Sequence, residues 1–114
     1  MDKTSLRQVK IKTGVLKRSV KDYTYYKKEA VKEEEKLDKL RSEEADEHDV
    51  NQQNSVMQES LDMLPHWKTK IETALQDLKD VMEELEETEE FKDSEEGIAA
   101  MGQVTEAAAF LEEL

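Results

Sequence analysis

The amino-acid sequence predicts an all-α protein: an antiparallel three-helix bundle, spectrin-repeat-like in its coiled-coil packing, with its second helix kinked at Pro65. Three observations predict it. Apolar residues recur every seven positions along most of the chain, the period of helices that pack along a narrow seam. Three glycines and one proline in 114 residues leave little material for hairpins or tight turns. A balance of 36% apolar and 40% charged residues is too polar for a thick globular core, yet it suits long helices sharing thin apolar stripes. The regular spacing also separates the chain from disordered sequences of similar polarity. Its length is that of one domain, taken as residues 1–114.

The first helix is expected over residues 5–42. Val9, Leu16, Tyr23, Ala30 and Leu37 form its heptad row. Leu6, Thr13 and Val20 accompany that row in the first half, and Tyr26 and Leu40 in the second. The switch follows from the drift of a straight helix against a strict seven-residue repeat. Ser5 with Gln8 offers a capping box at the start. Gly14 lies inside the helix, where glycine costs about 1 kcal/mol relative to alanine. Residues 43–49 lack an apolar anchor beyond Ala45 and read as a loop, with Asp49 and Gln52 capping the next helix.

That second helix is expected over residues 50–87, with Val50, Met57, Leu64, Ile71, Leu78 and Leu85 as an unbroken row beside Leu61, Leu75 and Met82. Pro65 removes a backbone donor and crowds the carbonyl of Leu61, hence the kink. The heptad register runs straight through it, which favours one bent helix over two. Residues 88–93 read as an acidic connection. Asp93 with Glu96 offers a cap for a third helix over residues 94–113, whose stripe is Ile98, Met101, Val104, Ala108 and Leu111. Short connections require antiparallel neighbours. They place the acidic third helix near the basic half of the first, where it would partly neutralise that half.

The net charge of −12 is unevenly spread. Residues 1–28 hold nine Lys/Arg and two Asp/Glu, whereas residues 29–114 hold eight and 27. With no cysteine, disulfides and thiolate metal sites are excluded. His48 and His66 lie far apart, no metal-ligand spacing occurs, and there is no glycine-rich phosphate loop. Paired carboxylates such as Glu83-Glu84 and Glu86-Glu87 read as solvated helix faces. The chain therefore reads as a non-enzyme without cofactor or metal. No apolar run approaches a membrane span, and Met1-Asp2-Lys3-Thr4 lacks the apolar segment of a signal peptide, so a soluble intracellular protein is expected. Lys10, Lys12, Lys17, Arg18 and Lys21 form a basic stretch. In an acidic chain without base-reading aromatics it points away from nucleic acid, and it reads either as a solvated face partly neutralised by the third helix or as a surface for an acidic protein partner. Tyr23 and Tyr26 fall on the core stripe, while Tyr25 points elsewhere as an interface anchor. Trp67 lies off the heptad row and reads equally as half-buried packing or as a surface anchor beside the kink.

Two stretches carry a family resemblance. One is Arg7-Gln8-Val9-Lys10-Ile11-Lys12-Thr13-Gly14-Val15-Leu16-Lys17-Arg18, continuing through Val20-Lys21-Asp22, Tyr26 and Lys28-Glu29-Ala30. The other is Gln58-Glu59-Ser60, then Met63-Leu64-Pro65 and Leu75-Gln76-Asp77-Leu78. Together, and in this order, they resemble the tubulin-specific chaperone A (tubulin-folding cofactor A) family over about residues 5–90. The resemblance implies a three-helix bundle and a chaperone that captures β-tubulin folding intermediates after chaperonin release, without nucleotide. It would pass them along a pathway shared with other tubulin-folding cofactors. On this reading Lys10, Lys12, Lys17, Arg18 and Lys21 face acidic tubulin surfaces, and Tyr25, Gln58, Glu59, Pro65, His66 and Trp67 supply shape and an anchor. A monomer in the cytoplasm, associated with the cytoskeleton, is favoured over a homodimer. The long heptads leave a rival from a different class, a structural coiled-coil module that self-associates, and a second rival is an enzyme subunit or regulatory binder of another acidic protein.

Overall fold

The computed structural model describes residues 3–85 and 88–114. Four helices account for nearly all of them: α1 (Lys3–Ser42), α2 (Glu47–Leu85), α3 (Glu89–Asp93) and α4 (Glu95–Glu112). No strand occurs among the described residues, and the all-α class holds. The expected end of the second helix at residue 87, and the Glu86-Glu87 pair, lie outside the described residues. So do Met1 and Asp2.

Helix ends depart from expectation for local reasons. α1 begins at Lys3, so Ser5 sits within its first turn instead of capping it. It ends in a Schellman arrangement: Ala45 N–H donates to the Leu40 carbonyl (3.0 Å) and Glu44 N–H to that of Arg41 (3.2 Å). Glu44 occupies the left-handed position at φ 56°, a place usually held by glycine. α2 is capped by Asp46, not Asp49. The Asp46 side chain accepts from His48 N–H (3.3 Å), and its carbonyl accepts from Val50 N–H (3.0 Å). Asp49 falls in the first turn, where its charge still favours the helix dipole.

Residues 88–93, read as a plain connection, wind into α3 because Phe91 gives them an apolar anchor, buried to 2% exposure. The cap of α4 is Ser94, not Asp93. Its Oγ accepts from Gly97 N–H (3.0 Å) and donates to the Phe91 carbonyl (2.6 Å). Gly97 is required here, since a Cβ would run into the Phe91 carbonyl oxygen and approach Ser94 Oγ at 3.1 Å. Gly97→Ala should therefore destabilise the α3–α4 corner by roughly 1–3 kcal/mol, as overpacking does. Chemical denaturation checks this, and an unchanged midpoint would show that the corner shifts freely.

Two compact units divide the chain, Met1–Lys21 with Lys68–Leu114, and Asp22–Trp67. In the first, α1 buries Val9, Leu16 and Ser19; α2 buries Ile71, Ala74, Leu75, Leu78 and Met82; α3 buries Phe91. From α4 come Gly97, Ala100, Gln103 and Ala107. The α4 stripe is thus rotated by one residue from the expected one. Ile98 and Met101 are 63% and 57% exposed, and Val104, Ala108 and Leu111 are half-buried. Three of these four buried residues are small, Gly97, Ala100 and Ala107, and Gln103 is buried with them.

The second unit contains only segments of α1 and α2. Tyr23, Ala30 and Leu37 are buried, completing a fully buried heptad row along α1. The α2 residues Val50, Met57 and Leu64 are half-buried, and Leu61, expected in the companion row, is exposed. Gln53 Nε2 donates to the Glu33 carbonyl (3.0 Å) and to its carboxylate Oε2 (2.7 Å), while Tyr26 stacks on Trp67. Contacts that step down α1 as they step up α2 make this unit an antiparallel helical pair.

Candidate functional site

In the Met1–Lys21/Lys68–Leu114 unit, α1 carries seven cations between residues 3 and 21: Lys3, Arg7, Lys10, Lys12, Lys17, Arg18 and Lys21. No carboxylate lies among them. Among the described residues none of these seven forms an ion pair. The pairs found in α1, Lys32–Glu29 (3.5 Å) and Lys36–Glu33 (3.4 Å), lie in the other unit and within one turn. Seven positive charges on one helix segment create a local field attractive to anionic surfaces.

The five basic residues singled out from sequence do not all share one face. At about 100° per residue, Arg18 and Lys21 fall on the side away from Val9 and Leu16, while Lys10 and Lys17 flank that row, and all four are exposed. Lys12 points roughly opposite to Lys21 and is half-buried. It lines a dimple with Gln8, Ile11, Val15, Ala74 and Asp77. Arg7 instead joins the outer face, lining a shallow groove with Lys10, Ile11, Gly14, Val15 and Arg18. Arg7, Ile11 and Val15 were not among the residues singled out. Their signal was available in the 4-3-4 spacing of Arg7, Ile11, Gly14 and Arg18, on the side facing away from the core row.

In the Asp22–Trp67 unit, four rings form a chain. Tyr25, 58% exposed, meets Tyr26 edge to face at 5.3 Å. Tyr26 stacks on Trp67 at 5.1 Å with 15° between planes, and His66 meets Trp67 edge-on at 5.6 Å. Trp67 is half-buried with its indole nitrogen enclosed, which decides for packing over a free surface anchor. Tyr25 and His66 are the exposed ends of this chain. Gln58, Glu59 and Pro65 are exposed, with Gln58 Nε2 donating to Asp62 Oδ1 at 2.9 Å. Gln58 and Pro65, like Glu59 and His66, are seven residues apart and so lie on nearly the same side of α2.

A perturbed carboxyl also lies in this unit. Donation from Gln53, and secondarily Lys36, holds the Glu33 carboxyl below its ordinary value against the opposing effect of burial. Gln53 thereby ties the two helices together. Among the described residues no group of three His, Cys, Asp or Glu is arranged to hold a metal, and no helix is long and apolar enough to cross a membrane. What the two surfaces offer is shape, charge and aromatic area.

Residues 4–104 match the family described as Tubulin binding cofactor A. The chain is similar to human Tubulin-specific chaperone A, at 44% identity over 78 residues, which span 68% of this chain and 72% of the relative. It is also similar to Tubulin-folding cofactor A of Arabidopsis thaliana, at 41% identity over 80 residues, 70% and 71% of the two chains. Among solved structures, it resembles tubulin folding cofactor A from Arabidopsis thaliana with a TM-score of 0.88 and 37% identity, over 95% of this chain and 99% of the other. The tubulin-binding cofactor A of Leishmania major is similar at a TM-score of 0.79 and 29% identity, covering 95% and 97%.

Proposed function

Because the chain belongs to the tubulin binding cofactor A family, we propose that it is a tubulin-folding chaperone that binds and holds β-tubulin folding intermediates after their release from the chaperonin. The observation that carries this reading is the family match over residues 4–104, joined to a cationic α1 segment whose side chains form no ion pair among the described residues. The mechanism is stoichiometric holding on preformed helices, without nucleotide or catalysis. Lys10, Lys17, Arg18 and Lys21 attract acidic tubulin surfaces, with Lys12 contributing from its separate dimple. Tyr25, Gln58, Glu59, Pro65, His66 and Trp67 form a second contact surface, in which Trp67 supports the exposed rings. The protein acts as a monomer in the cytoplasm, near the cytoskeleton, and hands its client to other tubulin-folding cofactors. The fold follows the same reading: α4 is the third arm of a three-helix bundle in the Met1–Lys21/Lys68–Leu114 unit, and α2 bends at Pro65.

Retention of β-tubulin by the purified protein tests this directly, and failure to retain it removes the proposal. Reversing Lys17, Arg18 and Lys21 to Glu should weaken retention by about tenfold at low ionic strength and flatten its dependence on salt, since exposed charge pairs contribute little individually and are screened. Unchanged binding and salt dependence would take α1 charge out of the mechanism.

A further inference from the structure

Gly14 sits in a helix at a place where the fold does not ask for glycine. Its φ is not positive, and an added Cβ would meet nothing within 4 Å. This is the opposite of Gly97, which the α3–α4 corner needs. Gly14 forms the floor of the outer groove of α1. Ile11 and Val15 are its apolar walls, 49% and 52% exposed, and Arg7, Lys10 and Arg18 are its cationic rim.

The six lining residues have a specific arrangement. Arg7, Lys10, Ile11 and Gly14 stand at i, i+3, i+4 and i+7, and so do Ile11, Gly14, Val15 and Arg18. Four residues so spaced make the hole that receives one knob of a partner helix in coiled-coil packing. The groove is therefore two consecutive sockets that share Ile11 and Gly14, and the missing side chain at Gly14 deepens both. It faces away from the row formed by Val9 and Leu16, and among the described residues only α1 side chains line it. The rim carries three cations without ion pairs among the described residues. They are placed to meet carboxylates flanking the incoming knobs.

We infer that this groove seats an acidic amphipathic α-helix of the tubulin client, with two successive apolar side chains entering the sockets over Gly14. The inference rests on the tubulin-binding reading and adds the form of the contact.

Gly14→Leu fills both sockets from within. Because the space is open and leucine is the better helix former, the variant should melt at or above the wild-type temperature. It should retain tubulin at least tenfold more weakly, with Gly14→Ala falling between. If Gly14→Leu folds poorly, Gly14→Ala together with Ile11→Ser carries the test, since Ile11 is already exposed. Wild-type retention of tubulin with equal retention by the folded variants overturns the socket alone and leaves the proposed function standing. Absence of retention by the wild type removes both. Sedimentation gives the remaining outcome: a self-associated wild type dispersed by Gly14→Leu, with tubulin retention unchanged, would make the occupant a second copy and overturn the inference.

Discussion

Leu78→Ala should lower the free energy of unfolding by about 2–5 kcal/mol, the range for truncating a fully buried leucine. Leu78 has no exposed surface, and it belongs to the α2 heptad row in the unit to which α1, α3 and α4 also contribute buried side chains. Deleting its isobutyl group removes buried apolar area and leaves a cavity that close-packed helices fill only in part. Against a typical domain stability of about 5–15 kcal/mol, that is a large fraction of the whole. For a chain of this length the melting temperature should fall by roughly 10–20 °C. Leu64→Ala is the control. It occupies the same row, but Leu64 is half-buried in the unit built from two helical segments, so its loss should be clearly smaller. Thermal and guanidinium unfolding of the two variants decides the matter. Equal losses would show that burial is not graded along α2 as the structure has it.

That gradient was partly legible in the sequence. In α1 the row Val9, Leu16, Tyr23, Ala30 and Leu37 was read from spacing alone, and all five are buried. Four of the five are large apolar side chains, so the hydrophobic period and the packing face coincide. α4 shows where such reading fails. Its conspicuous residues, Ile98 and Met101, are exposed, while glycine and alanines face the core. Hydrophobic periodicity weights side-chain size, whereas close helix packing selects for its absence. Asp93 precedes a glutamate at capping-box spacing, yet the extra turn of α3 moves the helix start by one residue and makes Ser94 the cap. Asp46 and not Asp49 caps α2 because the helix starts three residues before the expected position.

The candidate site was legible in charge but not in direction. A basic stretch is obvious in composition, yet Lys12 lies on another side of α1 from Lys10, Lys17 and Lys21. Arg7, which shares the outer face, lies further up the chain. The apolar walls at Ile11 and Val15 went unread because they sit among cations and do not continue the core row. A second row on the same helix becomes visible only once the first is known to be buried.

Pro65→Ala carries the largest expected gain in stability, up to about 3 kcal/mol, the penalty of proline in a helix interior relative to alanine. α2 runs without a break from Glu47 to Leu85 with Pro65 inside it. Proline donates no N–H to the Leu61 carbonyl, and its ring crowds that oxygen. Pro65 is exposed, so replacing it opens no cavity to offset the gain. The melting temperature should rise by roughly 10 °C if the full penalty is recovered. The same substitution should weaken tubulin retention, for a reason local to this segment. Pro65 immediately precedes His66 and Trp67, and the Trp67 ring is fixed by its stack on Tyr26 at 5.1 Å. With α2 bent at Pro65, as proposed, a regular turn in place of the proline would alter the angle at which both rings leave α2, and with it the surface proposed to include Tyr25, Gln58 and Glu59. Melting curves and tubulin retention on the one variant separate the two effects. A higher melting temperature with weaker retention makes the proline a shape-setting element of the binding surface. A higher melting temperature with unchanged retention reduces it to a tolerated defect, and the contact would then rest on the cationic face of α1.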